Sequence, residues 1–172
     1  MAPLVLRELD RYVAPGSEVR VLFDPARTGM APSDAAVENM PIELVEMDTI
    51  DGQLLAAEIG GSAYDQVIIL CYRTGDQAES DARTLLTLLQ VRQATELEDS
   101  PNNGVRLVTE LLDVRDVELA RIANPDDFVV SDELTSLMLA QLSERAELGL
   151  VFDDLFDHSR CSIELRPVSN YG

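Results

Sequence analysis

Short β-rich runs alternate with helix-period segments along most of this chain, and the connections between successive runs are too long for hairpins. Strands so separated pair in parallel through right-handed crossovers, which predicts a doubly wound α/β sheet. The runs are residues 18–24 (EVRVLFD), 42–47 (IELVEM), 66–71 (QVIILC), 105–111 and 127–130. The third is nearly all apolar, as a parallel strand covered on both faces must be.

Between them, residues 3–13 place Leu4, Val5, Leu6, Leu9 and Val13 at helical spacing. Pro3 sits in the first turn, where its missing N–H costs nothing, and Ala14-Pro15-Gly16-Ser17 then breaks the helix. Residues 34–39 read as a brief helix and 53–59 as a longer one closed by Gly60-Gly61. Residues 76–96 read as the longest helix, with Leu85, Leu86, Leu88, Leu89 and Val91 on its buried side, and 114–122 as another. The tail differs. Residues 132–147 form a strongly apolar helix, 150–156 a further turn or two, and 161–166 a strand that begins another segment. Two parts follow from this: a sheet-containing lobe over 1–131, and helices plus the start of a following segment over 132–172.

Length and charge narrow the function classes. A chain of 172 residues buries enough surface to fold without disulfides or metal. Its formal net charge is −19, and each of its 13 basic residues is arginine. A field of that sign repels nucleic-acid phosphates and an anionic membrane leaflet, and it favours cations. No apolar run approaches the roughly 20 residues that cross a bilayer, so direct membrane insertion is not expected. Cys71 and Cys161 lie apart, outside any C-x-x-C pair and without a signal peptide, which points to reduced thiols in a cytoplasmic setting.

In a doubly wound sheet, ligands sit beyond the carboxyl ends of the strands. Those ends carry Asp24, Asp48, and the Tyr72-Arg73-Thr74-Gly75-Asp76 run, with Glu110, Asp113, Ser131 and Asp132 further on. Asp24 closes a strand as a ribose-binding acid does, and it also precedes Pro25 as a turn-forming Asp does. Asp48 is placed at its strand end as a candidate to face an adenine or a cation, while Asp51 is expected to cap the following helix. Arg73, Thr74 and Gly75 form a polar loop opening onto a helix N-terminus, a place for an anion, and Asp76 beside them is a further candidate ligand residue. Asp153, Asp154 and Asp157 make a small acidic cluster at i, i+3 and i+4 spacing: a divalent-cation site or a solvated face. Catalytic patterns are missing. His158 is the one histidine, it has no nucleophile-elbow partner, and no G-x-G-x-x-G occurs. Leu134, Leu137, Met138, Leu139, Ala140 and Leu142 make the 132–147 helix apolar around most of its girth, so it is either deeply buried in this domain or packs one face against another subunit.

Residues 48–93 resemble the RCK (regulator of potassium conductance), or TrkA-N, lobe. The matching positions are Asp48, Leu54-Leu55, Gly60, the 65–69 strand, Asp81 and Leu85-Leu86. The stretches LRELDRYVAPGSEV and RLVTELLDVRDVELARIANPDDFVVSDELTSLMLAQLSERAELGLVFDDLFD, with the closing IELRP, are similar to the cytosolic region of the CASTOR/POLLUX group of ion channels. The resemblance implies a gating-ring type regulatory module of a cation channel. Such a module assembles as a homo-oligomer through Leu134, Leu137, Met138 and Leu142, next to a membrane pore domain in the same or a separate chain. Asp24 and Asp48 then line a nucleotide-like cleft, and calcium or a nucleotide is the implied ligand. The alternative is a degenerate NAD(P)-binding protein or oxidoreductase. The usual first strand and its glycine turn do not occur in the chain, so the resemblance implies a fragment or truncated frame. The central slot of the sheet is then expected to be closed by a rearranged strand or by a swapped partner.

Overall fold

The computed structural model of the chain describes residues 1–28, 37–73, 75–97, 99–122 and 126–157. These form two compact units, Met1–Leu134 and Thr135–Gly172. The first holds every described strand.

Within it the order is α1 (Ala2–Tyr12), β1 (Val19–Phe23), β2 (Ile42–Glu46), α2 (Gly52–Gly60), β3 (Gln66–Ile69), α3 (Gln77–Thr95), β4 (Arg106–Leu111), a 3-10 turn (Val114–Asp116) running into α4 (Val117–Ile122), and β5 (Asp127–Val130). Helix α5 (Ser131–Glu144) then starts directly from β5, and α6 (Leu148–Phe156) follows in the second unit. Local chemistry sets the boundaries. Pro3 occupies the first turn of α1, and Gly16, with φ of 89°, makes the left-handed turn after it. The Asp51 carboxylate accepts the Gln53 and Leu54 N–H groups at 3.0 and 3.2 Å, so Asp51 caps α2 as its spacing predicts. The brief helix expected at 34–39 falls partly outside the described residues, and 37–40 are not helical.

Every strand pair is parallel. β1 pairs with β2 from Val19↔Ile42 to Phe23↔Glu46. β3 pairs with β4 (Ile68↔Val108), and β4 with β5 (Thr109↔Phe128). The protein is therefore a Rossmann-like α/β fold, as the alternation requires. Its five described strands form two sheets, β1-β2 and β3-β4-β5. Among the described residues no strand pairs with both sheets.

The core lies where α2 and α3 cover one face of β3-β4-β5. Leu88 and Val91 of α3, Leu55 and Ile59 of α2, and Leu107 and Leu111 of β4 are buried together. Each fully buried leucine contributes about 1.5–3 kcal/mol. The face of α3 differs from the expected one: Leu86 and Leu89 are 42% and 48% exposed. The buried stripe instead runs Ser80, Thr84, Leu88, Val91, Thr95, at helical spacing. Small polar residues fill it at the N-terminal half because their hydroxyls satisfy themselves locally. Ser80 Oγ donates to the Asp76 carbonyl at 3.0 Å, and Thr84 Oγ1 to the Ser80 carbonyl at 3.1 Å.

Helices α5 and α6 bury no residue. On α5, Leu134, Leu137 and Leu139 are exposed, while Met138 and Leu142 are half-buried.

Candidate functional site

Parallel strands bring their carboxyl ends to one rim, and the rim of the first unit gathers most of the residues singled out above. A hydrogen bond joins its two halves: the Asp24 N–H after β1 donates to the Tyr72 hydroxyl, past the end of β3, at 2.8 Å.

At the β1 end, Asp24 forms a turn. Its Oδ1 accepts the Ala26 N–H at 2.9 Å, its carbonyl accepts the Thr28 hydroxyl at 2.8 Å, and its Oδ2 lies 3.4 Å from the Arg27 guanidinium. Arg27 reaches on to Glu79 in the first turn of α3, also at 3.4 Å. Asp48, after β2, is exposed and accepts the Ile50 N–H at 3.2 Å. Asp76 stands at the start of α3 without a side-chain cap bond, and its carbonyl accepts the Ser80 N–H at 3.0 Å. Just before it Gly75 has φ of 101°, a conformation that a side chain at this reversal would strain. Thr74 lies outside the described residues.

Arg73 is anchored. Its Nη2 donates to Glu110 Oε1 at 2.7 Å, and that carboxylate holds the guanidinium above its ordinary range against the opposing effect of burial. Glu110 is only 6% exposed at the end of β4. Its Oε2 accepts the Cys71 N–H at 3.1 Å, and Oε1 also accepts the Ser131 hydroxyl at 2.6 Å. One carboxylate thus ties the ends of β3 and β5 to β4. Charge-assisted bonds of this kind are about twice as strong as neutral ones.

Behind the rim sits Asp81, fully buried in α3. It accepts the Leu112 and Asp113 N–H groups at 2.9 and 2.8 Å, and Cys71 Sγ lies 3.6 Å from it. Burial first, then the Asp81 and Asp113 charges, push the Asp116 carboxyl above its usual range. Asp113 is held low by hydrogen bonds from Arg115. Burial pushes the Cys71 thiol up to about 11.

Sequence reading placed Glu110 only as one of several acids after a strand, and Asp81 only as a matching position. The signal for both was a carboxylate inside an otherwise apolar or small-residue stripe, which is rarely left unpaired. Asp153 and Asp154 are exposed on α6, with Asp157 at its C-cap. Among the described residues, no group of three His, Cys, Asp or Glu side chains is placed to hold a metal ion. His158 and the 161–166 segment lie outside the described residues, as do 29–36.

Taken together, parallel strands with helical crossovers and a polar rim define a Rossmann-like α/β domain. Over 95% of its length the chain is similar to CASTOR/POLLUX-type ion channels. It is 22% identical to the probable ion channel CASTOR of Oryza sativa subsp. japonica and 24% identical to the ion channel POLLUX of Lotus japonicus, each over 197 aligned positions. A probable ion channel POLLUX of Arabidopsis thaliana is 26% identical over 63% of the chain. The chain spans about a fifth of the length of these relatives, 22%, 21% and 16% respectively. No family model matches it. Among the described residues no helix is long and apolar enough to cross a membrane.

Proposed function

We propose that this chain is a non-catalytic, cytosolic regulatory domain of a cation channel, of the gating-ring type. It receives a small ligand or cation at the strand rim and passes the signal on through contacts between copies of itself. The supporting observation is the similarity along 95% of the chain to ion channels, joined to a parallel α/β fold. The ligand is proposed beside Asp24 and Asp48, where the carboxyl ends of β1 and β2 open beside the Tyr72 bridge. The exposed apolar side chains Leu134 and Leu137 on α5 supply the oligomer contact, together with the half-buried Met138 and Leu142. A pore domain, in the same or a separate polypeptide, is the element acted upon.

Thermal-shift measurements with calcium, magnesium, NAD and ATP, combined with light scattering, test this reading. A ligand specific to the folded state adds about 2.7 kcal/mol of stability at a hundredfold excess over its Kd. The expected result is a rise in melting temperature with calcium or a nucleotide, and a defined oligomer weakened by Leu137→Asp. A strictly monomeric protein that responds to none of the four ligands at millimolar concentration overturns it. Turnover of a hydride donor in the presence of NAD would replace it with an oxidoreductase.

A further inference from the structure

We propose that Asn103 is a self-modification site. The main-chain nitrogen of Gly104 closes on its side chain to form a succinimide, water opens the ring to aspartate or isoaspartate, and the isoaspartyl product loosens the entrance of β4.

Residues 101–104 form the turn that leads into β4, and its two asparagines have opposite surroundings. Asn102 is 1% exposed. Its Oδ1 accepts the Tyr64 N–H at 2.7 Å, and its Nδ2 donates to the Ile59 and Ser62 carbonyls at 2.7 and 2.8 Å. Asn103 is exposed, and its N–H donates to the Ser100 carbonyl at 3.2 Å. Among the described residues, its carboxamide and the Gly104 N–H make no hydrogen bond. Gly104 has φ of 79°, and no heavy atom beyond its chain neighbours lies within 4 Å of where a Cβ would stand. The attacking nitrogen is therefore neither engaged elsewhere nor screened by a side chain of its own.

The reaction balances with water as its one co-reactant. The Gly104 nitrogen gives up its proton and bonds to Asn103 Cγ, and the side-chain nitrogen leaves as ammonia with that proton. Water then adds to one of the two ring carbonyls. Addition at Cγ breaks the new C–N bond and leaves aspartate. Addition at the main-chain carbonyl breaks the original bond to the Gly104 nitrogen, so the chain runs through Cγ as isoaspartate. One water is consumed and one ammonia released, and either product adds a negative charge to a chain already at −19.

Other positions lack this combination. The Asn39 side chain donates to the Asp10 carbonyl at 3.1 Å and is followed by the buried Met40. Asn124 precedes Pro125, which has no N–H to give, and Asn170 precedes a bulky tyrosine. Asp51-Gly52 could close the same ring, but the Asp51 carboxylate is held by the Gln53 and Leu54 N–H groups.

The two products differ in what they do to the fold. Residues 103 and 104 span the loop closed by the Val105 N–H on the Asn102 carbonyl at 3.0 Å. Isoaspartate lengthens that loop by one main-chain carbon. On one side of it stands the Asn102 clamp, and on the other Val105, which belongs to the buried core. Aspartate keeps the ordinary backbone and only places a charge at an exposed position.

The experiment incubates the full chain at pH 8 and 37 °C over days, beside a synthetic peptide of residues 93–106 as the unstructured reference, and maps both after trypsin digestion. The expected result is a gain of about one dalton confined to the 93–106 fragment, at a rate within about fivefold of the peptide's, since exposed turns are the mobile parts of a fold. The fragment should separate into two products, one of which accepts a methyl group from S-adenosylmethionine through an isoaspartyl methyltransferase. Asn103→Gln should abolish both. The isoaspartyl form, isolated by ion exchange, should unfold at a lower urea concentration than the fresh chain, whereas Asn103→Asp should not. A native rate further below the peptide's would show that the turn keeps the side chain from the nitrogen, and it overturns the proposal. So does a mass gain that persists in Asn103→Gln, which assigns the reaction to Asn102, or methylation confined to the 28–73 fragment, which assigns it to Asp51. An isoaspartyl form as stable as the fresh chain overturns the link to β4.

Discussion

The Asp81 carboxylate, fully buried in α3, accepts the Leu112 N–H at 2.9 Å across 31 residues of sequence. The same carboxylate holds the Asp113 N–H, so one side chain of the longest helix fixes the turn that leaves β4.

Replacing Asp81 should therefore cost far more than its polar character suggests. Asp81→Ala leaves two backbone donors unsatisfied in a dry site, a loss of about 2–4 kcal/mol. Asp81→Asn keeps one acceptor but sets an amide donor against the second N–H, and it should also exceed 1 kcal/mol. Urea unfolding midpoints at constant m value measure both.

Glu110 makes a parallel prediction with a different signature. Glu110→Ala releases the Cys71 N–H, Arg73 and the Ser131 hydroxyl together and should cost about 3 kcal/mol, the usual result of breaking a buried ionic network. Arg73→Ala leaves the carboxylate two of its partners and should cost less, about 1–2 kcal/mol. If the two variants unfold at the same denaturant concentration, Glu110 is not the tie between strand ends.

The two faces of α3 separate in a leucine comparison. Leu88 is wholly buried, and Leu88→Ala should lose about 3–5 kcal/mol through lost burial plus the cavity left behind. Leu89, one residue on, is 48% exposed, and Leu89→Ala should stay below about 1 kcal/mol in the isolated chain. Equal losses would contradict the observed rotation of the helix.

Two titrations follow from burial. The Cys71 thiol, pushed up to about 11, favours its neutral form in the fold. Its effect on stability is nil below the ordinary thiol value of about 8.5 and opposes folding as pH rises from there toward about 11. In a Cys161→Ser background, iodoacetamide at pH 8 should modify native Cys71 about a hundredfold more slowly than the urea-unfolded chain. Comparable rates would show an accessible thiolate.

Asp116 carries the same sign among the carboxylates. Its raised value means that the folded state holds a proton more tightly than the unfolded chain, so stability falls as pH rises from the ordinary carboxylate value through the raised one. Asp116→Asn should then be more stable at pH 7 by on the order of 0.5 kcal/mol, the scale of a partly screened charge pair. The gain should disappear at a pH low enough to protonate aspartate in both states, which thermal melts across pH 3–8 resolve.

The amino-acid order by itself determined that the strands are parallel and where they lie. Alternating periods of two and 3.6, with Pro and Gly at the breaks, are local properties, so 66–71, 105–111 and 127–130 were legible within a few residues, as was the Asp51 cap. The tertiary structure alone decided which polar groups hold the rim together. Cys71 N–H meets Glu110 across 39 positions, and Asp24 meets Tyr72 across 48. A short sequence window contains only one member of each such pair. The same limit explains α3: Leu86 and Leu88 are equally apolar, and the sheet beneath the helix selects which one is buried.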